Sequence, residues 1–265
     1  LPRVRVREPG RPGGVGVGGE PGGHGAAGIP AAQRYRADPG GGGFVNPPSI
    51  APWVLGIPDG AFEQRRPRRG LITKAEVRLI SLSRMRIPPD GVVWDIGTGS
   101  GSVSIEAARL APRGQVWTIE KNEEDVAIAR RNVERFGVED RVRVIHGRAP
   151  EGLADWPAPN AVFIGGSSGS MRPILEAAAR RLLPGGRIVV NAATIENLYE
   201  AVSCLRELGL GVEVILVQVA RSRPILDLTR FEALDPVYVI TAGADLEAAE
   251  PGAGDGGAGG AGEGS

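Results

Sequence analysis

The sequence predicts an open α/β fold: a seven-stranded, mostly parallel sheet with helices on both faces and an antiparallel hairpin at its C-terminal end. Three observations carry this. Across residues 92–208 short apolar runs alternate with amphipathic helical patterns. The first run, Val92-Val-Trp-Asp-Ile, leads into Gly97-Thr98-Gly99-Ser100-Gly101, a glycine loop that opens a helical pattern. After residue 210 the alternation stops. The runs 211–220 and 236–241 have no helix-length pattern between them, so they should pair as a hairpin.

Residues 1 to about 45 are dominated by Gly and Pro with scattered Arg and show no hydrophobic period. Such a composition buries too little apolar surface to offset its ordering entropy, so 1–45 is expected to be disordered, as is the Gly-rich tail 244–265. The folded domain is then 46–243, with 46–72 as an arm anchored by Trp53 and Phe62. Arg65, Arg66, Arg68 and Arg69 form either a solvated linker or a basic rim for an anionic substrate. Thr73 followed three residues later by Glu76 is a capping-box signature, which predicts a helix over 74–86 stopped by Pro88-Pro89. Strands follow at 92–96, 115–120, 142–146, 161–165 and 186–191, with helices at 101–110, 123–136, 170–183 and 194–208. Cys204 reads as a small buried apolar residue on the last helix.

The 31 basic and 31 acidic side chains leave no net charge, which argues against a chain built mainly to grip nucleic acid. One Cys and two His supply neither a metal-ligand set nor a disulfide framework, so no protein-bound metal is expected. No apolar run approaches the length of a membrane span, and the N-terminus lacks a secretory h-region. A cytoplasmic enzyme is the default expectation.

In open α/β sheets ligands lie beyond the carboxyl ends of the strands. The loop's main-chain amides and the helix start behind it suit a polar or anionic ligand group. The spacing is Asp95-x-Gly97-x-Gly99-x-Gly101, whereas a dinucleotide loop has its third glycine three positions after the second. The pattern resembles motif I of the S-adenosylmethionine (SAM) methyltransferases, whose class I, Rossmann-like sheet closes in such a hairpin. Glu120, ending the second strand, is placed to accept hydrogen bonds from both ribose hydroxyls. His146 reads as a strand residue rather than a base, and the loop 146–150 behind it would lie along the adenine. Gly165, Gly166 and Ser167, after the fourth strand, would form a floor near the reacting carbon. No Asn-Pro-Pro-Tyr-like motif follows that strand, which favours carbon over amide or exocyclic-amine methylation.

A more specific resemblance spans residues 50–242. Gly56-Ile-Pro-Asp59, Leu71-Ile-Thr73-Lys74-Ala-Glu76-Val77-Arg78 and Trp94-Asp95-Ile-Gly97-Thr-Gly99-Ser-Gly101 are followed by Gly147-Arg-Ala149-Pro150-Glu151, Phe163-Ile-Gly165-Gly166-Ser167, Asn191-Ala192 and Gln218-Val-Ala220-Arg221. Together they resemble the decarboxylating precorrin C15-methyltransferases of cobalamin biosynthesis, which act on (cobalt-)precorrin-6B. Position 168 departs from the family pattern: it is Ser where the family loop has Gly. The resemblance implies SAM contacts at Thr73, at Gly97, Thr98, Gly99, Ser100 and Gly101, at Glu120 and at Ala149. It also implies a homotetramer, and a stand-alone form of the enzyme or a fragment that has lost its beginning. A tetrapyrrole substrate with several acetate and propionate groups calls for cationic holders, for which Arg221, Arg223, Arg78 and Arg172 are candidates. Rival readings are an RNA or protein methyltransferase on the same fold and a non-catalytic subunit. The intact Asp95, glycine loop and Glu120 speak against the subunit.

Overall fold

The structure, a computed structural model, describes residues 54–65 and 72–246. Residues 1–45 and 247–265 of the expected disordered ends, with Trp53, Arg66, Arg68 and Arg69, lie outside the described residues, whereas 244–246 are described, Asp245 pairing with Arg187 at 2.7 Å; no helix among those described is long and apolar enough to cross a membrane. Helix α1 (Ala75–Arg84) precedes strand β1 (Val92–Ile96). The chain then alternates through α2 (Ser102–Leu110), β2 (Gln115–Glu120), α3 (Glu123–Arg135), β3 (Val142–His146), β4 (Ala161–Ile164), α4 (Met171–Arg181), β5 (Arg187–Ala192) and α5 (Ile195–Glu207). It ends in β6 (Gly211–Val217), β7 (Ala220–Ile225), β8 (Leu228–Ala233) and β9 (Val237–Gly243).

Seven of these strands form one sheet in the order β3-β2-β1-β4-β5-β9-β6. Strands β1 to β5 pair in parallel, and β9 runs antiparallel to both β5 and β6. This is the class I methyltransferase sheet that the alternation predicts. Side chains alternate between two cores, because successive residues of a strand point to opposite faces. Val93, Val116, Phe163 and Val189 pack with α1, α2 and α3, and Trp94, Ile164, Ile188 and Val190 pack with α4 and α5.

Two local expectations are corrected. The apolar run 211–220 is not one strand: β6 ends at Val217, and Ala220 begins a separate two-stranded ribbon of β7 and β8. Every residue of β8 is exposed, so the ribbon has no buried face to give it a hydrophobic period. The capping box at Thr73 also does not form. Lys74 is the N-cap, without a side-chain cap bond, and the Glu76 carboxylate pairs with Arg221 instead.

The arm is held by one buried ion pair. Arg78 and Glu106 are both fully buried, with Arg78 Nε donating to Glu106 Oε1 at 2.9 Å. Glu106 also accepts from Ile57 N at 2.9 Å. Arg78 donates further to the carbonyls of Thr73 and Ile57 and to Asp59, with its guanidinium over the Phe62 ring. Arg78 is therefore a clamp joining α1, α2 and the arm, rather than the substrate holder suggested by its sequence. Replacing one partner of such a pair strands a buried charge. Arg78→Met should cost about 3–5 kcal/mol in urea unfolding, and the double change with Glu106→Leu should recover much of that loss.

Candidate active site

The carboxyl ends of β1, β2, β4 and β5 open onto a cleft of about 830 Å³. Thr73, Asp95, Gly97, Thr98, Gly99 and Glu120 line it, as do Ala149, Gly165, Gly166, Ser167 and Arg223. Ser100 and Gly101 stand behind the loop. The Ser100 carbonyl accepts from Asn132 Nδ2 at 2.8 Å, and Gly101 lies against Ala129 of α3.

Three devices set the shape of the loop. Asp95, fully buried at the end of β1, accepts from Thr98 Oγ1 at 2.7 Å and from Ser104 Oγ at 2.5 Å, tying strand, loop and α2 together. Glu120 accepts from Gly99 N at 3.1 Å through Oε2 and from Asn122 N at 3.0 Å through Oε1, which joins the ends of β1 and β2. Gly97, at φ +77°, is where β1 and β4 touch: a Cβ there would lie 2.7 Å from the Gly166 carbonyl oxygen. No L side chain fits that conformation and that gap without displacing the β4 loop.

These residues suit a sulfonium nucleoside with an amino-acid end. Asp95 Oδ1 is buried and without a partner among the described residues, an acceptor suited to an ammonium group. Burial lifts the Asp95 pKa to about 6 against the hydrogen bonds from Ser104 and Thr98, with the Glu120 charge adding to the rise. Each Glu120 oxygen keeps spare acceptor capacity for a diol.

The arginines sort differently from the sequence expectation. Arg223 lines the cleft, paired with Glu232 at 3.0 Å. Arg221, Arg78 and Arg172 do not line it. Arg221 is held by Glu76 and by Asp59, and these partners raise its pKa. Arg172 pairs with Glu207 at 2.6 Å on the surface between α4 and α5. Cations not singled out as substrate holders line the cleft instead: Lys74, Lys121 and Arg148, the last donating to the Ser168 carbonyl at 3.1 Å. Asn191 at the end of β5 was also missed as a site residue. Its strand-end position was the available signal. His146 sits outside the lining and bonds the Lys121 carbonyl through Nε2, as a strand residue would.

Ser168 adopts φ +51°, the left-handed region that glycine enters freely and other residues enter at a cost. Ser168→Gly should raise stability by about 0.5–1 kcal/mol, the relieved strain being partly offset by the entropy of a new glycine. A rise in thermal midpoint checks this.

The comparisons with known proteins point one way. The precorrin methyltransferase domain family matches residues 66–242. A protein of Pyrobaculum calidifontis, named a probable cobalt-precorrin-6B C(15)-methyltransferase (decarboxylating), is 44% identical over 188 residues, covering 71% of this chain and 95% of that protein. A crystal structure of precorrin-6Y C5,15-methyltransferase from Geobacter metallireducens superimposes with a TM-score of 0.67 at 44% identity, over 71% of this chain and 96% of that one. The crystal structure of precorrin 8W decarboxylase from Methanobacterium thermoautotrophicum gives a TM-score of 0.66 at 34% identity, over 71% and 99%. The chain belongs to the precorrin methyltransferase domain family.

Proposed function

We propose that this protein methylates carbon 15 of (cobalt-)precorrin-6B and removes the ring C acetate carboxyl as carbon dioxide, with SAM as methyl donor, in cobalamin biosynthesis. What carries this reading is that the family match, 66–242, runs through every strand end of the cleft. Those strand ends keep what a sulfonium nucleoside requires. When bound there, SAM supplies an electrophilic methyl group on a sulfonium. Asp95 Oδ1 would accept from the ammonium of the amino-acid end, and Glu120, fixed by Gly99 and Asn122, would accept from the ribose hydroxyls. Thr73 and Ala149 line the same pocket, and Ala149 would lie along the base. Gly165, Gly166 and Ser167 form a floor with little side-chain bulk, over which a flat macrocycle can approach. Lys74, Arg148 and Arg223 hold the carboxylates that stay on the ring. Alignment of carbon with methyl supplies most of the rate effect.

The reading includes a cytoplasmic enzyme that acts as a homotetramer, with no nucleic-acid or membrane partner and no protein-bound metal, cobalt arriving with the substrate. The exposed apolar side chains of Leu216, Ile225, Leu226, Leu228 and Phe231, gathered on β6 and the β7–β8 ribbon, support self-association.

Three measurements test this. Incubation with precorrin-6B and SAM should yield a product heavier by one methyl and lighter by one carbon dioxide, and an unchanged mass would reject the reading. Glu120→Ala should weaken S-adenosylhomocysteine binding by about 1.5–3 kcal/mol in calorimetry, the worth of a charged hydrogen bond. Asp95 must be ionised to hold the ammonium, so this affinity should fall roughly tenfold from pH 7.5 to pH 5, and Asp95→Asn should flatten that dependence. The unligated fold moves the other way. With its folded pKa raised above the unfolded value, Asp95 adds stability as pH falls through about 6 toward 3.8.

A further inference from the structure

Five side-chain atoms among the described residues are buried without a hydrogen-bond partner: Asp95 Oδ1, Ser100 Oγ, Arg187 Nε and Nη1, and Asn191 Nδ2. Buried polar atoms are almost always paired, so each such atom needs a reason. Only two of them belong to residues lining the cleft, Asp95 and Asn191, and they are complementary. One is an acceptor at the end of β1 and the other a donor at the end of β5, with β4 between the two strands.

The strand order gives that donor a place. A ligand held by Glu120 on β2 and by the loop after β1 has its far end at β4, beneath Gly165 and Gly166. Asn191, one strand further, is the next polar group in line. Its side chain is held from behind. The Ser81 hydroxyl is shared between the Val77 carbonyl at 2.9 Å and Asn191 Oδ1 at 3.0 Å. With Oδ1 engaged by α1, the amide has Nδ2 left to offer a ligand.

We infer that Asn191 donates this N–H to the acetate carboxylate that leaves as carbon dioxide, an inference that rests on the proposed function. A neutral donor suits a carboxylate that must be lost. It fixes the torsion of the group, whereas an ammonium would add a full counter-charge and deepen the ground state. Fixed in this way, the carbon–carboxyl bond stands across the macrocycle plane. It breaks with its electron pair entering the ring π system as carbon dioxide departs. That pair is matched by the new bond from carbon 15 to the methyl, while the sulfur–methyl electrons remain on sulfur as a lone pair.

The test uses the full chain, precorrin-6B and SAM, with carbon dioxide release, methyl incorporation and S-adenosylhomocysteine affinity read separately. Asn191→Ala should lower kcat/KM for carbon dioxide release roughly 10- to 100-fold and Asn191→Asp further, with S-adenosylhomocysteine affinity within about twofold of the unsubstituted protein. On a macrocycle whose ring C acetate has already lost its carboxyl group, the Asn191→Ala loss in methylation should be much smaller than its loss on precorrin-6B. Ser81→Ala, outside the cleft, should give a smaller loss of carbon dioxide release by freeing the amide to turn. Unimpaired carbon dioxide release by Asn191→Ala would overturn the inference. So would a parallel fall in S-adenosylhomocysteine affinity, which would give the amide to the cofactor's own carboxylate, or equally slow methylation of the decarboxylated ring. If the unsubstituted protein leaves precorrin-6B unchanged, the functional reading itself fails.

Discussion

The Asp95 carboxylate is the constraint on which the site depends. It is buried at the end of a central strand, where a charge is expensive, and hydrogen bonds from the Thr98 and Ser104 hydroxyls and the Ser104 backbone offset part of that cost. Those bonds fix the first turn of α2 relative to β1, which in turn fixes the loop amides. Glu120 then locks the loop from the side by taking the Gly99 amide. The loop is thus held in shape before any ligand arrives, and preorganised groups lose less on binding. The unpartnered Asp95 oxygen is the cost of that arrangement, and it is tolerated where a cation can use it.

Most of the fold was legible because burial writes itself into sequence. Strands covered on both faces need continuous apolar runs, and β1, β4 and β5 have them. The glycine loop was legible for a related reason: the contact of Gly97 with Gly166 leaves no room for any other residue at 97. The ribbon was hidden because the same logic fails in reverse. Residues 220–233 are nearly all exposed, and a ribbon without a buried face carries no period. The run 211–220 concealed the break at Gln218-Val219, since both sides of it are apolar.

The capping box at Thr73 did not form, and three of the four arginines, Arg78, Arg172 and Arg221, do not line the cleft, for one shared reason: a charged side chain has several possible partners, and spacing does not reveal which it takes. Glu76 stands where a capping carboxylate would, yet Arg221 from a strand 145 residues away takes it. Arg78 sits in a helix beside the cleft, yet its guanidinium turns inward to Glu106. Arg223 was found by its position at a strand near the site, and Asn191, although part of the Asn191-Ala192 piece of the family resemblance, was given no role because the sequence alone does not say which way a single amide in an apolar strand is used.

Pairing also decides which charges the cleft presents. Parity of 31 basic and 31 acidic side chains is a statement about the whole chain, and the field at a cleft depends on which charges are compensated nearby. Arg78, Arg172 and Arg221 are each matched by a carboxylate, as are Arg65 by Asp125 and Arg223 by Glu232. Lys74, Lys121 and Arg148 line the cleft with no carboxylate partner among the described residues. Carboxylates line it too: Asp95, Glu120, Asp125, Glu232 and Asp235 stand against Arg65, Lys74, Lys121, Arg148 and Arg223, so the cleft, like the whole chain, presents both signs in equal number. A low-dielectric, partly enclosed wall strengthens the field of each of these charges relative to the solvated surface. What the cleft offers an anionic group is therefore the placement of Lys74, Lys121 and Arg148 rather than a net positive field, and such a site needs no basic surplus of the kind that attracts nucleic acid indiscriminately.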